Sequence, residues 1–142
     1  MVEKKNVLWV SRHEMLPVQM KFLAEKLKHF TVEFFRDTVP SAEWLVENVI
    51  LPKKIDIVIP VLPLSMIARL VELSKKHGFE VWWAQMELLH NDYEEAPPCP
   101  DFNSDTDTMV PGLDSNDNRI WRHYRFKAFY RVKEVKLVLE EV

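Results

Sequence analysis

The sequence predicts an α/β fold built on a mainly parallel sheet of five or six strands, with an antiparallel C-terminal edge. Three observations carry this expectation. Short apolar runs recur at residues 7–10, 31–36, 55–59 and 79–86. Segments with helical apolar spacing separate them, and strands joined by crossover helices pair in parallel through right-handed βαβ units. Beyond a long acidic stretch, residues 119–142 return to strand-like alternation.

In chain order, Val7, Leu8, Trp9 and Val10 form a continuous apolar run, the pattern of a strand covered on both faces. It is expected near the centre of the sheet. Leu16, Met20, Leu23, Leu27 and Phe30 follow at alternating steps of four and three, one face of an amphipathic helix. Pro17 suits its first turn, where a missing N–H is no loss. Residues 31–36 (T-V-E-F-F-R) are aromatic and β-branched and read as the second strand. Asp37, Thr38, Val39 and Pro40 turn the chain into a second helix, with Trp44, Leu45 and Val49 expected inside. Residues 55–59 (I-D-I-V-I) are the third strand, ended by Pro60-Val61-Leu62-Pro63. A third helix over about residues 64–77 should stop at Gly78, the residue type that accepts a left-handed cap. Residues 79–86 are the fourth strand. Val7, Trp9, Ile57, Ile59 and Val81 are expected to be almost wholly buried. With helices on both faces of the sheet, this is a Rossmann-like three-layer arrangement in a single α/β domain spanning residues 1–142.

The alternation breaks after residue 88. Residues 92–118 hold eight acids (Asp92, Glu94, Glu95, Asp101, Asp105, Asp107, Asp114 and Asp117) and no Lys or Arg. Outside them, 14 acids face all 19 basic residues, a body of net charge +5 that is compatible with a phosphate-bearing ligand. With its prolines, this stretch is expected to be an acidic loop insertion, the least regular part of the chain. Further on, Tyr124, Phe126 and Ala128 alternate with Arg125 and Lys127, and Val135, Leu137 and Leu139 alternate with Lys136 and Val138. The apolar phase slips across residues 129–133, as at a bulge or a tight hairpin between two edge strands.

Several classes are excluded or disfavoured. No apolar run approaches the roughly 20 residues that cross a bilayer, and the N-terminus lacks a signal-peptide core, so no membrane partner and a cytoplasmic location are expected. Cys99 is the only cysteine, which rules out an intramolecular disulfide and a thiolate zinc cluster. Two glycines, Gly78 and Gly112, leave no Gly-rich dinucleotide turn and no P-loop. His13-Glu14 begins like a zinc-protease motif, but Pro17 stands at the fifth position. Asp101, Asn103, Asp105 and Asp107 loosely mimic a calcium loop, with Thr106 where glycine is needed and Gly112 where glutamate is needed. No metal and no cofactor are expected.

What remains is a set of polar residues at strand ends. Ser11, Arg12 and His13 follow the first strand, Asp37 and Thr38 the second, and Gln85, Glu87 and His90 the fourth. Gln19, one turn into the first helix, should face the same crevice. In open α/β sheets ligands bind beyond the carboxyl ends of the strands. Arginine offers a fork of donors that matches phosphate oxygens, and histidine exchanges protons near neutral pH. For most of these residues the plainer alternative is a loop side chain bonded to backbone.

The V-S-R-H of Val10 to His13, together with Leu62-Pro63 after the third strand, resembles a family of small CRISPR-accessory proteins. That family is related in fold to the CARF domains and linked to ring-nuclease cleavage of cyclic oligoadenylate. Glu14-Met15 stand where the family has Pro-Gly. The resemblance implies a homodimer whose two crevices face a two-fold symmetric ring. It also implies chemistry without a metal, in which a ribose 2′-hydroxyl attacks the adjacent phosphate. Arg12 would stabilise the phosphate, His13 act as acid or base, and Ser11 and Thr38 hold oxygens; Gln19 would complete the ligand site. A rival reading takes residues 119–131, where four Arg and one Lys interleave with five aromatics, as a module for single-stranded nucleic acid. The same interleaving also suits an edge strand with its aromatics on the core and its cations outward. A third reading is a protein-interaction module of a mobile element or defence system.

Overall fold

A computed structural model describes residues 3–92 and 102–142. The strands are β1 (Lys5–Val10), β2 (Phe30–Phe35), β3 (Ile57–Pro60), β4 (Glu80–Asp92), β5 (Asp107–Leu113) and β6 (Arg119–Arg131). The helices are α1 (Pro17–Leu27), α2 (Ala42–Leu45), which runs on as a π-helical segment (Val46–Ile50), and α3 (Leu64–His77). The six strands are hydrogen-bonded in the order β2-β1-β3-β4-β6-β5, parallel from β2 to β4 and antiparallel through β4, β6 and β5. The chain divides into two compact units, one of Met1–Glu14, Leu27–Trp83 and Tyr130–Val142, the other of Met15–Lys26 and Ala84–Phe129.

In the first unit β1 is paired on both sides, with Val7 opposite Val32 of β2 and Ile57 of β3. The five residues expected inside, Val7, Trp9, Ile57, Ile59 and Val81, are all 3% exposed or less. β1 lies one strand in from the edge rather than at the sheet centre, because β6 and β5 extend the far side and leave β3 and β4 in the middle. Ser41 starts α2 by accepting the Trp44 N–H on its Oγ at 3.0 Å. The wider π turn that follows brings Val46, Val49 and Ile50 into the core beside Leu45, while Trp44 is only half-buried against the Phe35 ring. α3 ends as expected, with Gly78 at φ 79° and its N–H on the Ser74 carbonyl at 2.8 Å. Each fully buried Leu or Val of this core contributes roughly 1.5–3 kcal/mol.

The second unit contains most of α1, the latter part of β4, β5 and nearly all of β6. The inner face of α1 is rotated from the one its apolar spacing suggests: Met20 is 36% exposed, whereas Gln19 and Leu23 are buried. Phe22 causes the shift, since its ring sits edge-on to Phe126 at 6.0 Å and Phe129 at 5.4 Å. Aromatic pairs in this geometry add about 0.5–1.5 kcal/mol beyond burial. The helix stops at Leu27, so Phe30 belongs to β2 rather than to the helix face.

Two expectations about the second half of the chain are corrected. The stretch expected to be irregular contains β5, which pairs antiparallel with β6 from Asp107↔Arg125 to Leu113↔Arg119. Pro111 and Gly112 disguise this strand in the sequence, and Pro111 is tolerated because β5 is the outermost strand. The turn to β6 is made by Asp114, whose carboxylate accepts the N–H groups of Asn116 and Asn118, with Asp117 in the left-handed region. The rest of the expected loop, residues 93–101 with Cys99, lies outside the described residues. The hairpin that residues 129–133 could have formed is also absent. β6 is one 13-residue strand between β4 and β5, so it is not an edge, and no strand follows it. Val132 donates to the Val81 carbonyl and Val135 packs on the core, but Leu137, Val138 and Leu139 are 83%, 96% and 84% exposed. Among the described residues, no helix is long and apolar enough to cross a membrane.

Candidate ligand-binding crevice

A cavity of about 350 Å³ opens in the first unit at the carboxyl ends of β1, β2 and β3. From β1 the chain passes to β2 on one side, and β3 lies on the other, so the strand order reverses at β1. Loops leaving neighbouring strands in opposite directions open a crevice at such a switch point. Ser11, Arg12, His13, Asp37 and Thr38 form its polar wall, and Val39, Val61, Leu62, Pro63 and Met66 much of its apolar wall.

The turn after β1 is held from several sides. The Ser11 N–H donates to the Phe35 carbonyl at 3.2 Å, and Ser11 is itself buried. Its Oγ accepts the His13 N–H at 3.0 Å, and the buried Trp9 indole donates to the His13 carbonyl at 2.8 Å. These bonds fix the backbone and leave the His13 side chain at an exposed position, with no hydrogen-bond partner for its ring among the described residues. The Arg12 guanidinium donates to Thr38 Oγ1 at 3.3 Å, which ties the turn after β1 to the loop after β2. Ser11 is therefore first a brace for His13, although a hydroxyl that accepts one bond still has its proton to donate.

The structure thus brings Ser11, Arg12, His13 and Thr38 together, as the sequence suggested, and leaves Gln19 out. Gln19 is not among the lining residues: it is buried at the start of α1, where its Oε1 accepts the Leu16 N–H at 2.8 Å. The strand-end residues expected after β4 are corrected as well. β4 continues to Asp92, so Gln85 and Glu87 lie within the strand, where Glu87 is ion-paired with Lys127.

His90, also within β4, belongs to a second polar cluster, in the second unit, that the sequence did not reveal. The Asp107 side chain is fully buried and takes donors on both oxygens: Arg125 Nε at 2.8 Å and Thr106 Oγ1 at 2.6 Å on Oδ1, Arg125 Nη2 at 2.9 Å, the Asn103 N–H at 2.9 Å and His123 Nε2 at 2.8 Å on Oδ2. Burial alone would raise this carboxyl's pKa. The bonds from Arg125, Thr106, Asn103 and His123 outweigh burial and hold it well below the usual carboxylate range. An ionised carboxylate only accepts, so Nε2 of His123 carries a proton toward it, and Nδ1 of the same ring lies 3.1 Å from His90 Nε2. Asp107 had looked like a partial calcium ligand, yet its oxygens are occupied by protein donors, and Asn103 Oδ1 accepts the Asp105 N–H. Among the described residues, no three His, Cys, Asp or Glu side chains form a metal-ligand set. No sequence signal could have found this cluster, because it depends on the pairing of β5 with β6.

The fold and crevice define an α/β protein with a cavity of about 350 Å³ at its topological switch point. No protein-family model, curated protein or solved structure matches the chain.

Proposed function

We propose that the crevice binds a phosphate-bearing nucleotide, a cyclic oligoadenylate, and cleaves it by attack of a ribose 2′-hydroxyl on the neighbouring phosphate. The observation that supports this most is the convergence of Ser11, Arg12, His13 and Thr38 on one cavity at the switch point. The resemblance of the V-S-R-H and Leu62-Pro63 motifs to ring-nuclease proteins supplies the ligand. The reading treats the scaffold as Rossmann-like and CARF-like, with helices on both sheet faces, and the protein as a cytoplasmic homodimer. The cavity is near the small end of the roughly 300–1,000 Å³ typical of ligand pockets, so one copy would hold one nucleotide unit and a ring would span two.

In the proposed step the 2′-oxygen bonds to phosphorus and the bond to the 5′-oxygen breaks, giving a 2′,3′-cyclic phosphate and a 5′-hydroxyl. Arg12 neutralises charge on the phosphoryl oxygens, with Thr38 holding its guanidinium in place. His13 protonates the departing 5′-oxygen, and the 2′-hydroxyl proton passes to water. Ser11 sets the position of His13 through its backbone bond.

The test is incubation of the purified protein with cyclic tetra- and hexa-adenylate, beside a single-stranded RNA binding assay. Binding of one ring that weakens on Arg12→Ala, with linear product appearing, is the expected result. Tight RNA binding lost on Arg122→Ala, with neither ring bound, would favour the nucleic-acid reading instead. That reading has less support, because Arg122, Arg125, Lys127 and Arg131 of β6 are all engaged within the protein and Phe126 and Phe129 are buried. Silence in both assays would favour a protein-interaction role, for which the exposed Leu137, Val138 and Leu139 are the supporting observation.

A further inference from the structure

We infer that Asp37 reads a ribose hydroxyl of the bound nucleotide, so that the crevice selects ribonucleotide over deoxyribonucleotide phosphodiesters. The inference rests on the proposed nucleotide site and assigns it a substrate class. Asp37 follows β2 and lines the cavity with Arg12 and Thr38, on the opposite side from the apolar Leu62, Pro63 and Met66. Its carboxylate has no hydrogen-bond or ion-pair partner among the described residues, although Arg12 lines the same cavity and bonds to the adjacent Thr38. A carboxylate in a crevice for anions repels phosphate, and that repulsion is offset when the ligand presents a neutral donor beside its phosphate. A ribose hydroxyl is such a donor, and a carboxylate accepts from it strongly. The placement is also the one that doubly wound sheets use: an acidic side chain at the end of the second strand hydrogen-bonds the ribose 2′-hydroxyl. Leu62, Pro63 and Met66 then form a surface for the base, which leaves the phosphate at Arg12 and the sugar at Asp37.

The experiment compares binding of cyclic tetra-adenylate and its fully 2′-deoxy counterpart to the wild-type protein, Asp37→Ala and Asp37→Asn. Hydrogen bonds to charged groups typically contribute enough for about a ten-fold or larger preference. The expected result is a ribose preference of that size in wild type, its disappearance in Asp37→Ala with the deoxy ring bound no more weakly than by wild type, and partial recovery in Asp37→Asn, which can still accept a bond. A preference that survives Asp37→Ala would overturn the inference while leaving the nucleotide site intact. Equal binding of both rings by wild type would do the same. Failure of wild type to bind either ring would remove the proposed site and this inference together.

Discussion

The crevice after β1 and the cluster around Asp107 are made from the same four residue types and use them in opposite ways. Arg12, His13, Asp37 and Thr38 line an open cavity, joined by a single side-chain bond, from Arg12 to Thr38. Arg125, His123, Asp107 and Thr106 are knotted together, with donors on both oxygens of a buried carboxylate. Chemical type therefore says little about role here. What separates the two regions is how far the protein itself satisfies its polar groups. A saturated, buried network has little left to offer a ligand and serves the fold. An exposed set held by its backbone keeps its capacity for something else.

The largest expected effect lies in the saturated region. Asp107→Ala leaves Arg125 and His123 without their acceptor, and breaking a buried pair in this way typically costs about 3–5 kcal/mol. Urea unfolding monitored by circular dichroism should show a loss of this order, and a loss below about 1 kcal/mol would mean that water enters the cluster freely. The same carboxyl gives the comparison a pH axis. Because its folded pKa is depressed, its stabilising contribution is complete above the unfolded value of about 3.9 and is lost as pH falls toward the lower folded value. The stability gap between wild type and Asp107→Asn should therefore narrow steadily below pH 4. A gap that is constant from pH 6 to pH 2.5 would argue against an ionised Asp107.

In the open region the effects should appear in function and not in stability. His13→Ala should slow ring cleavage roughly 10²-fold or more with little change in binding, as expected for a lost proton donor. Equal rates in single-turnover assays would remove His13 from the chemistry. Arg12→Ala should weaken ring binding by about 1.5–3 kcal/mol, the usual contribution of a hydrogen bond to a charged group. Fluorescence titration would read this directly, and unchanged affinity would mean that the phosphate lies elsewhere. The smallest effect is the control: each of these two changes should move the unfolding free energy by no more than about 0.5 kcal/mol. A larger loss would make Arg12 or His13 part of the fold and erase the contrast with Asp107.

Much of the first unit was legible in the sequence because its signals are local. A run such as Val7–Val10 and a glycine after α3 each act within a few residues, through burial or a permitted backbone angle. The convergence of Ser11, Arg12, His13 and Thr38 followed from the same logic, since parallel strands deliver their carboxyl ends to one side. Tertiary structure alone decided the rest. Gln19 sits on the buried side of its helix because Phe22, not Met20, is the residue that packs against Phe126 and Phe129. β5 exists despite Pro111 and Gly112 because β6 supplies its partner, and Asp107 is buried because that pairing sets it beside His123 and Arg125. Strand pairing joins residues far apart in sequence, and the energy that makes an acid acceptable in the interior comes from partners that no local pattern announces.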